Sequence, residues 1–246
     1  MKILSYNIHK GFSATNSRCV LRQMREAIRA IDADIVFLQE VLGEHARHSR
    51  DVETWPSEAQ FEFLADSIWP HFAYGKNAVY DEGHHGNAIL SKYPIIHWAN
   101  HDVSTNRLEQ RGMLHAKLEI PGQTQNLHCI CVHLGLTARG RRAQLATLCS
   151  MVEASIEAHS ALVIAGDFND WSRAATKFLQ ERLHVREVFR LTKGSHAATF
   201  PAQLPVLPLD RIYAGGCKIV EAHTLKGSPW SSMSDHTPLL AEIEII

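Results

Sequence analysis

The middle of the chain constrains the fold most, because it holds four strand-like segments in succession with no helical pattern between them. The segments are NAVYD, GNAILSKYPI, MLHAKLEI and NLHCICVHL, which lie between residues 77 and 134. A parallel pair of strands needs a long crossover connection, whereas antiparallel strands can follow one another directly. This part of the chain therefore predicts mainly antiparallel pairing.

Both flanks of this region alternate strand-like and helical patterns. Apolar residues recur at helical spacing within residues 20–31 and 145–156, and residues 57–68 also indicate a helix. Further strand-like segments are KILSYNI, DIVFLQEV, ALVIAGDFND, DRIYA, KIVEAHTL and PLLAEIEII. Because helices must cover the faces of sheets, we expect an α/β (α+β) fold with two mixed, mostly antiparallel sheets packed face to face and helices outside. No repeat or linker divides the chain, so a single domain over residues 1–246 is predicted.

The charge balance and the cysteines limit the function classes. Lys and Arg number 25 against 26 Asp and Glu, which disfavours a dedicated duplex-binding protein with a basic face. The five cysteines follow no metal-binding or disulfide pattern. The N-terminal segment MKILSYNIHKG is not apolar enough for a signal peptide, and no segment approaches a membrane span. We therefore expect a cytoplasmic protein without stable membrane insertion.

Polar residues suited to catalysis follow the apolar strand segments. Glu40 comes after DIVFLQ, where we expect a buried strand to end, and Asn7 and His9 are two residues apart, on one face of a predicted strand. Asp, Asn and Ser are also ordinary turn residues, so each has a structural explanation when taken alone. Strand ends gather at one edge of a layered fold, where a metal-assisted phosphoester site could form. The group comprises Asn7, Glu40, His133, Asp167, Asn169, Asp210, Asp235 and His236.

The ordered motifs of the chain resemble those of the endonuclease/exonuclease/phosphatase (DNase I-like) superfamily. The matching segments are SYNIHKG, LQEV, GNAILSKYPI, QRGML, VHLG, GDFND, LDRIY and SDHTPL, which together span residues 3–240. The segments NIHKGF, GHHGNA and GDFNDW are most similar to those of short bacterial members of the YbhP type. The resemblance implies a four-layer sandwich of two sheets with helices outside.

The resemblance also implies a divalent cation and a phosphate site. By this similarity, Glu40 is the main ligand of Mg²⁺ or Mn²⁺, and Asn7 and Asp235 lie close to the metal. Arg111 matches a phosphate-contacting arginine of the superfamily. Many nuclease members carry Asp at the position of His9, so either a second metal ligand is absent or His9 contacts the phosphate.

Five further residues match catalytic positions of the superfamily. The resemblance implies that Asp167 orients or deprotonates the attacking water and that Asn169 hydrogen-bonds the phosphate. Asp210 fixes His236, which acts on the phosphate or on the water, and His133 is a candidate acid for the leaving group.

These residues predict a metal-dependent phosphoester hydrolase, most simply a phosphodiesterase. The alternatives are a nuclease and a non-catalytic binding module of the same fold. Leu209 stands where repair nucleases have an aromatic residue, and with the near-neutral charge it favours a phospholipid-type or small phosphodiester over nucleic acid. His84 and His85 either line the substrate pocket or form a turn. We expect a monomer by default.

Overall fold

The computed structural model describes residues 1–107, 109–157 and 160–246 and contains two six-stranded sheets. The strands of the first sheet are, in spatial order, β11 (Cys217–Thr224), β12 (Leu239–Ile245), β1 (Lys2–Asn7), β2 (Ile35–His45), β4 (Gly83–Ser91) and β3 (His71–Tyr80). Those of the second sheet are β5 (Ile95–Asp102), β6 (Gly112–Leu118), β7 (Leu127–His133), β8 (Leu162–Asp167), β10 (Asp210–Gly215) and β9 (Arg186–Glu187).

Three apolar layers hold the sheets and helices together. The central layer joins the inward faces of the two sheets and includes Phe37, Leu114 and Val163. The outward face of the first sheet packs against a second layer, and that of the second sheet against a third. The helices that complete the outer layers are α1 (Leu21–Ile31), α2 (Ala46–Asp51), α3 (Gln60–Ala65), α4 (Ala138–Ser155), α5 (Ala174–Leu183), α6 (Val188–Lys193) and α7 (Trp230–Met233). The predicted sandwich of two mixed sheets with helices is confirmed.

Each sheet contains one parallel pair of strands among antiparallel pairs. These parallel pairs position the strand ends that carry the polar residues. Strands β1 and β2 pair in parallel and are joined by α1, while β7 and β8 pair in parallel and are joined by α4. The remaining pairs are antiparallel. The C-terminal ends of β7 and β8 therefore lie side by side, and β10 begins at the same edge.

Several local predictions were wrong. Strand β2 does not end before Glu40 but continues to His45, with a register shift between Leu38 and Val41 that leaves Glu40 in a bulge. Strand β1 ends at Asn7, and His9 begins a short 3₁₀ turn, so the two do not share a strand face. The helix predicted over residues 57–68 is limited to Gln60–Ala65.

The last third of the chain contains helices that its strand-like pattern did not predict, namely α5, α6 and α7. His84 and His85 belong to strand β4 and not to a turn. Among the described residues, no helix combines the length and the apolarity needed to cross a membrane.

Candidate active site

Three catalytic candidates lie in a row because of strand register. In the parallel β7–β8 pair His133 is opposite Asp167, and in the antiparallel β8–β10 pair Asp167 is opposite Asp210. All three residues are buried, and they lie at neighbouring ends of these inner strands of the second sheet. Gly166 makes this approach possible, since its φ is +139° and a Cβ there would lie 2.0 Å from the carbonyl oxygen of Val132.

His236 is fixed beside this row by Asp210. The Nδ1 atom of His236 lies 2.8 Å from Oδ2 of Asp210, which confirms the predicted contact. Burial alone would lower the pKa of His236, but the negative charges of Asp210 and Asp167 outweigh it and raise the pKa to about 10. The ring is therefore protonated at pH 7, with Nδ1 donating to Asp210.

Asp167 is the central carboxylate of the site. Its Oδ2 atom lies 3.5 Å from Nε2 of His133 and 3.8 Å from Nε2 of His236, and its Oδ1 accepts a 2.8 Å hydrogen bond from the backbone N–H of Asn169. Burial raises the pKa of Asp167, the charge of His236 opposes the rise, and Asp210 adds to it, which leaves the pKa at about 7. A carboxylate with this pKa can accept a proton near neutral pH.

Asn7 and Glu40 bring the first sheet to the same site. The Nδ2 group of Asn7 lies 3.3 Å from Oε1 of Glu40 and 3.2 Å from Oδ2 of Asp167, and its Oδ1 accepts from the backbone N–H of His9. Glu40 has a φ of +55°, a conformation that is uncommon for a residue other than glycine and that occurs at functional sites. The bulge turns this side chain toward the second sheet.

The charge state of Glu40 suits cation binding. Burial by itself raises its pKa, but the positive charges of His133 and Lys10 and the amide of Asn7 outweigh burial and lower the pKa to about 2. Burial lowers the pKa of His133 well below 6.5, so at pH 7 this ring is neutral. Lys10, Asn7 and the protonated His236 remain as the groups that favour the charged form of Glu40. Glu40 is thus a carboxylate over the whole physiological range.

The donor set fits a divalent cation bound through oxygen. Buried ligand atoms of Asp167, Asp210 and His236 lie within 4.8 Å of one another. A histidine must be neutral to bind a metal, and His236 is protonated at pH 7, so this trio is better described as an ion-paired network. Glu40 lies beside it as an anionic oxygen ligand, and Oδ1 of Asp210 is buried without a hydrogen-bond partner among the described residues. This excess of acceptors suits a hard divalent cation.

Most of the predicted residues line one open cavity of about 410 Å³. Its polar wall consists of Glu40, Arg111, His133, Asp167, Asn169 and His236, and its apolar wall of Leu136, Trp171, Phe200, Leu207 and Leu209. The Arg111 guanidinium donates to Oε1 of Glu109 at 3.0 Å and has its Nε buried without a partner among the described residues. This leaves donor capacity for an anion in the cavity.

The side chain of Asn169 is held in place by a backbone contact. Its Nδ2 donates to the carbonyl oxygen of Leu134 at 3.0 Å, which uses one of its two amide protons. The φ of Asn169 is +49°, so this residue, like Glu40, has a left-handed backbone conformation.

Four predicted residues do not line the cavity; one of them is Asp210, which lies behind His236 as its hydrogen-bond partner. Asn7 lies between Glu40 and Asp167, while Nδ1 of His9 lies 3.8 Å from Oδ1 of Asp235. His9 and Asp235 thus form a partly exposed pair next to the buried network. Their assigned roles toward phosphate and metal stay predictions.

His84 and His85 also lie outside the catalytic cavity. Nδ1 of His84 is 2.9 Å from the Tyr74 hydroxyl, and the residue lines a separate cavity of about 420 Å³ with Trp55 and Tyr80.

Sequence reasoning missed the residues that hold the Asp-His turn. The Ser234 hydroxyl donates to the carbonyl oxygen of Asn7 at 2.7 Å and accepts from the backbone N–H of His236 at 3.1 Å. Oγ1 of Thr199 accepts from the backbone N–H of Asp210 at 3.2 Å. The Phe200 ring lies against the His236 ring, with centroids 5.2 Å apart. Ser234 was visible in the SDH motif, whereas residues 199 and 200 carry no local signal of their role.

Comparison with known proteins agrees with this arrangement. Residues 4–236 match the model of the Endonuclease/Exonuclease/phosphatase family. The chain is 48% identical over 244 residues to the uncharacterised protein YbhP of Escherichia coli K12, covering 99% of this chain and 96% of YbhP.

Two solved structures show the same fold at low identity. One is a mannosyl-6-phosphatase from Bacteroides thetaiotaomicron, with a TM-score of 0.73, 14% identity and full coverage of both chains. The other is D. rerio TDP2 complexed with a single-strand DNA product, with a TM-score of 0.73 and 18% identity, covering 99% of this chain and 98% of that one. The family match and the relative that it covers end to end lead to one conclusion: this chain belongs to the Endonuclease/Exonuclease/phosphatase family.

Proposed function

We propose that the protein is a divalent-metal-dependent phosphodiesterase. The observation that carries the proposal is the position of Asp167. Its Oδ2 atom lies between His133 and the protonated His236. The same atom is 3.2 Å from the Asn7 amide, which also contacts Glu40. Members of the family are phosphoester hydrolases, and this arrangement supplies a base, a cationic hydrogen-bond donor and an anionic oxygen ligand at one point.

Each residue of the cavity has a role that follows from its charge state. Asp167, with a pKa of about 7, accepts the proton of the attacking water. His236, with a pKa of about 10, keeps its proton and donates a hydrogen bond to a phosphate oxygen. Arg111 adds a second cationic donor. A cation held by Glu40, with Asp235 and Asn7 close by, would neutralise phosphate charge.

The reaction balances as a simple hydrolysis. The oxygen of water forms a new bond to phosphorus, the ester bond to the leaving oxygen breaks, and the products are a phosphomonoester and an alcohol. The proton of the attacking water passes to Asp167, and the leaving oxygen takes up a proton from solvent water. Burial keeps His133 neutral, so at pH 7 this ring suits a hydrogen bond to Asp167 better than the acid role that the sequence suggested.

The composition of the cavity favours a diester over a monoester. A monoester at pH 7 carries close to two negative charges, whereas a diester carries one. The cationic side chains in the cavity wall are Arg111 and His236, and five apolar side chains also line the cavity. One phosphate charge with a substituent on each side matches this division. The apolar part of the lining supports the phospholipid-type or small phosphodiester that we favour over nucleic acid.

Hydrolysis of bis-p-nitrophenyl phosphate tests the proposal. We expect turnover with Mg²⁺ or Mn²⁺, none after chelation, and slower hydrolysis of the monoester p-nitrophenyl phosphate. His236→Ala should slow the reaction by about 10²–10⁴-fold. The matched control is His223→Ala, which removes an exposed histidine from strand β11.

The outcomes also separate the alternatives. A folded protein that binds the diester without hydrolysing it would be the non-catalytic binding module. Faster hydrolysis of the monoester would make the protein a phosphatase. Equal loss of activity in both histidine variants would remove the assigned role of His236.

A further inference from the structure

Of the thirteen large apolar side chains that are exposed among the described residues, five belong to segments that line the catalytic cavity. Among the described residues, the loop that follows Phe200 exposes Leu204 by 72% and Val206 by 63%, while Leu136 and Trp171 are exposed by 57% and 51%. Together with Leu207, they form what we call the apolar rim. Exposed large apolar groups that cluster at one place mark a binding surface, whereas scattered ones need no explanation.

The loop side of the rim is fixed to the catalytic residues. The backbone N–H groups of Val206 and Leu207 both donate to the carbonyl oxygen of Phe200, and that of Leu204 donates to Pro201. Phe200 and Leu207 line the cavity, and Leu204 and Val206 lie at the outer part of the same loop. The loop therefore presents its apolar side chains in a defined position beside His236.

The opposite side of the rim is held by one buried arginine. The Nη1 group of Arg141 donates to the carbonyl oxygens of Leu136 and Gly135, at 2.6 and 3.2 Å. Its guanidinium carbon also lies 4.7 Å from the centre of the Trp171 ring. Trp171 and Leu136 are thus kept outside the core although both are large and apolar.

Basic residues flank this side of the rim. Arg139 and Arg142 are exposed on the first turns of α4, directly after Leu136, and Arg173 is exposed two residues after Trp171. An apolar group bordered by arginines matches the surface of a phospholipid layer, in which acyl chains lie beneath anionic head groups. Nucleic acid is a poorer match, because four of the five rim side chains are aliphatic and Trp171 alone among them offers an aromatic face for base stacking.

From these observations we propose that the apolar rim docks on the surface of a phospholipid layer and brings a lipid phosphodiester into the cavity. Leu204 and Val206 enter the layer, the arginines contact anionic head groups, and the phosphodiester lies beneath, next to Asp167 and His236. The hydrolysis of the docked lipid rests on the proposed function, whereas the docking itself does not.

The test measures vesicle binding and soluble activity separately. The wild-type chain and the double variant Leu204→Ser/Val206→Ser are sedimented with vesicles of phosphatidylcholine alone or mixed with phosphatidylglycerol. We expect the wild type to bind, more strongly when phosphatidylglycerol is present, and the variant to bind about ten- to hundredfold more weakly, since two apolar side chains no longer leave water. Bis-p-nitrophenyl phosphate hydrolysis should be unchanged, because neither residue lines the cavity.

A matched control carries the same change elsewhere. Ile96→Ser/Val220→Ser removes exposed apolar side chains from edge strands β5 and β11 and should bind vesicles like the wild type. The proposal is overturned if the wild type does not bind vesicles, if the rim variant binds as well as the control, or if the rim variant binds single-stranded DNA less well instead. If soluble diester is not hydrolysed by the wild type while vesicles are bound, only the proposed function fails.

Discussion

Replacing Asp210 with Asn tests the central electrostatic feature of the site, because it removes the charge that holds His236 protonated. A rise in the His236 pKa from 6.5 to about 10 corresponds to about 5 kcal/mol in favour of the protonated ring, at about 1.4 kcal/mol for each pKa unit. Removing one partner of a buried ion pair generally costs about 3–5 kcal/mol of folding free energy. We therefore expect Asp210→Asn to destabilise the fold by roughly this amount near pH 6.

The pH dependence distinguishes this effect from a general loss of packing. A group whose pKa is higher in the folded state than in the unfolded state stabilises the fold while it is protonated. For His236 this stabilisation is complete below the unfolded pKa of 6.5 and is lost as the pH rises through about 10. The difference in unfolding free energy between the wild type and Asp210→Asn should be largest near pH 6 and should shrink toward pH 10. Urea unfolding at four or five pH values measures it.

The exposed pair of His223 and Glu221 provides the control. Its atoms lie 3.0 Å apart, but both side chains are half exposed, so Glu221→Gln should cost less than about 1 kcal/mol. NMR titration of His236, assigned with a His236→Gln variant, should show the ring pKa falling by more than two units in Asp210→Asn. If His236 still titrates near pH 10 in that variant, or if the stability difference does not depend on pH, the reasoning is refuted.

Further predictions concern the metal, the pH profile, the strand residue Gly166 and the substrate. Glu40→Gln should abolish Mn²⁺ binding measured by calorimetry, and unchanged binding would remove Glu40 as the ligand. Activity should fall below about pH 7 as Asp167 becomes protonated and above about pH 10 as His236 loses its proton. Saturating Mg²⁺ should move the acid limb of the profile to lower pH. A flat profile would contradict both roles. Gly166→Ala should cost on the order of 3 kcal/mol in thermal unfolding because its Cβ meets backbone, whereas Gly122→Ala, with open space around it, should cost about 1 kcal/mol. In competition at about 0.15 M salt, phospholipid should be cleaved in preference to duplex DNA, and efficient DNA cleavage with lipid untouched would overturn this preference.

The layered architecture could be predicted because the central strands of both sheets carry apolar runs, such as those of β2, β7 and β8. In the second sheet the positions of His133, Asp167 and Asp210 also followed, since each lies at the end of an apolar run and parallel or adjacent strands bring such ends to one edge. The hydrogen bond between Asp210 and His236 was predicted from the resemblance and is confirmed.

Backbone irregularities could not be predicted from the same pattern. The alternation of apolar and polar residues along a sequence indicates only whether a strand continues or ends. At Glu40 the strand instead forms a bulge, and the left-handed φ there depends on pairing with a distant strand, β4. The turn at His9 replaced an expected strand for a similar reason, since its backbone N–H is bound by the side chain of Asn7. Helix α5 went unnoticed because only residues such as Ala175 and Leu179 are buried, which is a weak periodic signal.

The candidate site divides its tasks between the two sheets, and this division explains the position of Asn7. The second sheet holds the proposed base Asp167 beside His133 and Asp210, because strand register fixes these three residues side by side. The first sheet holds Glu40, the proposed cation ligand, so its distance from Asp167 depends on how the sheets face each other. Asn7 spans that gap with one amide group, which contacts both carboxylates. Ser234 then ties the His236 turn to the carbonyl oxygen of Asn7 itself. The packing of the central apolar layer therefore sets the geometry of the catalytic groups as well as the stability of the fold.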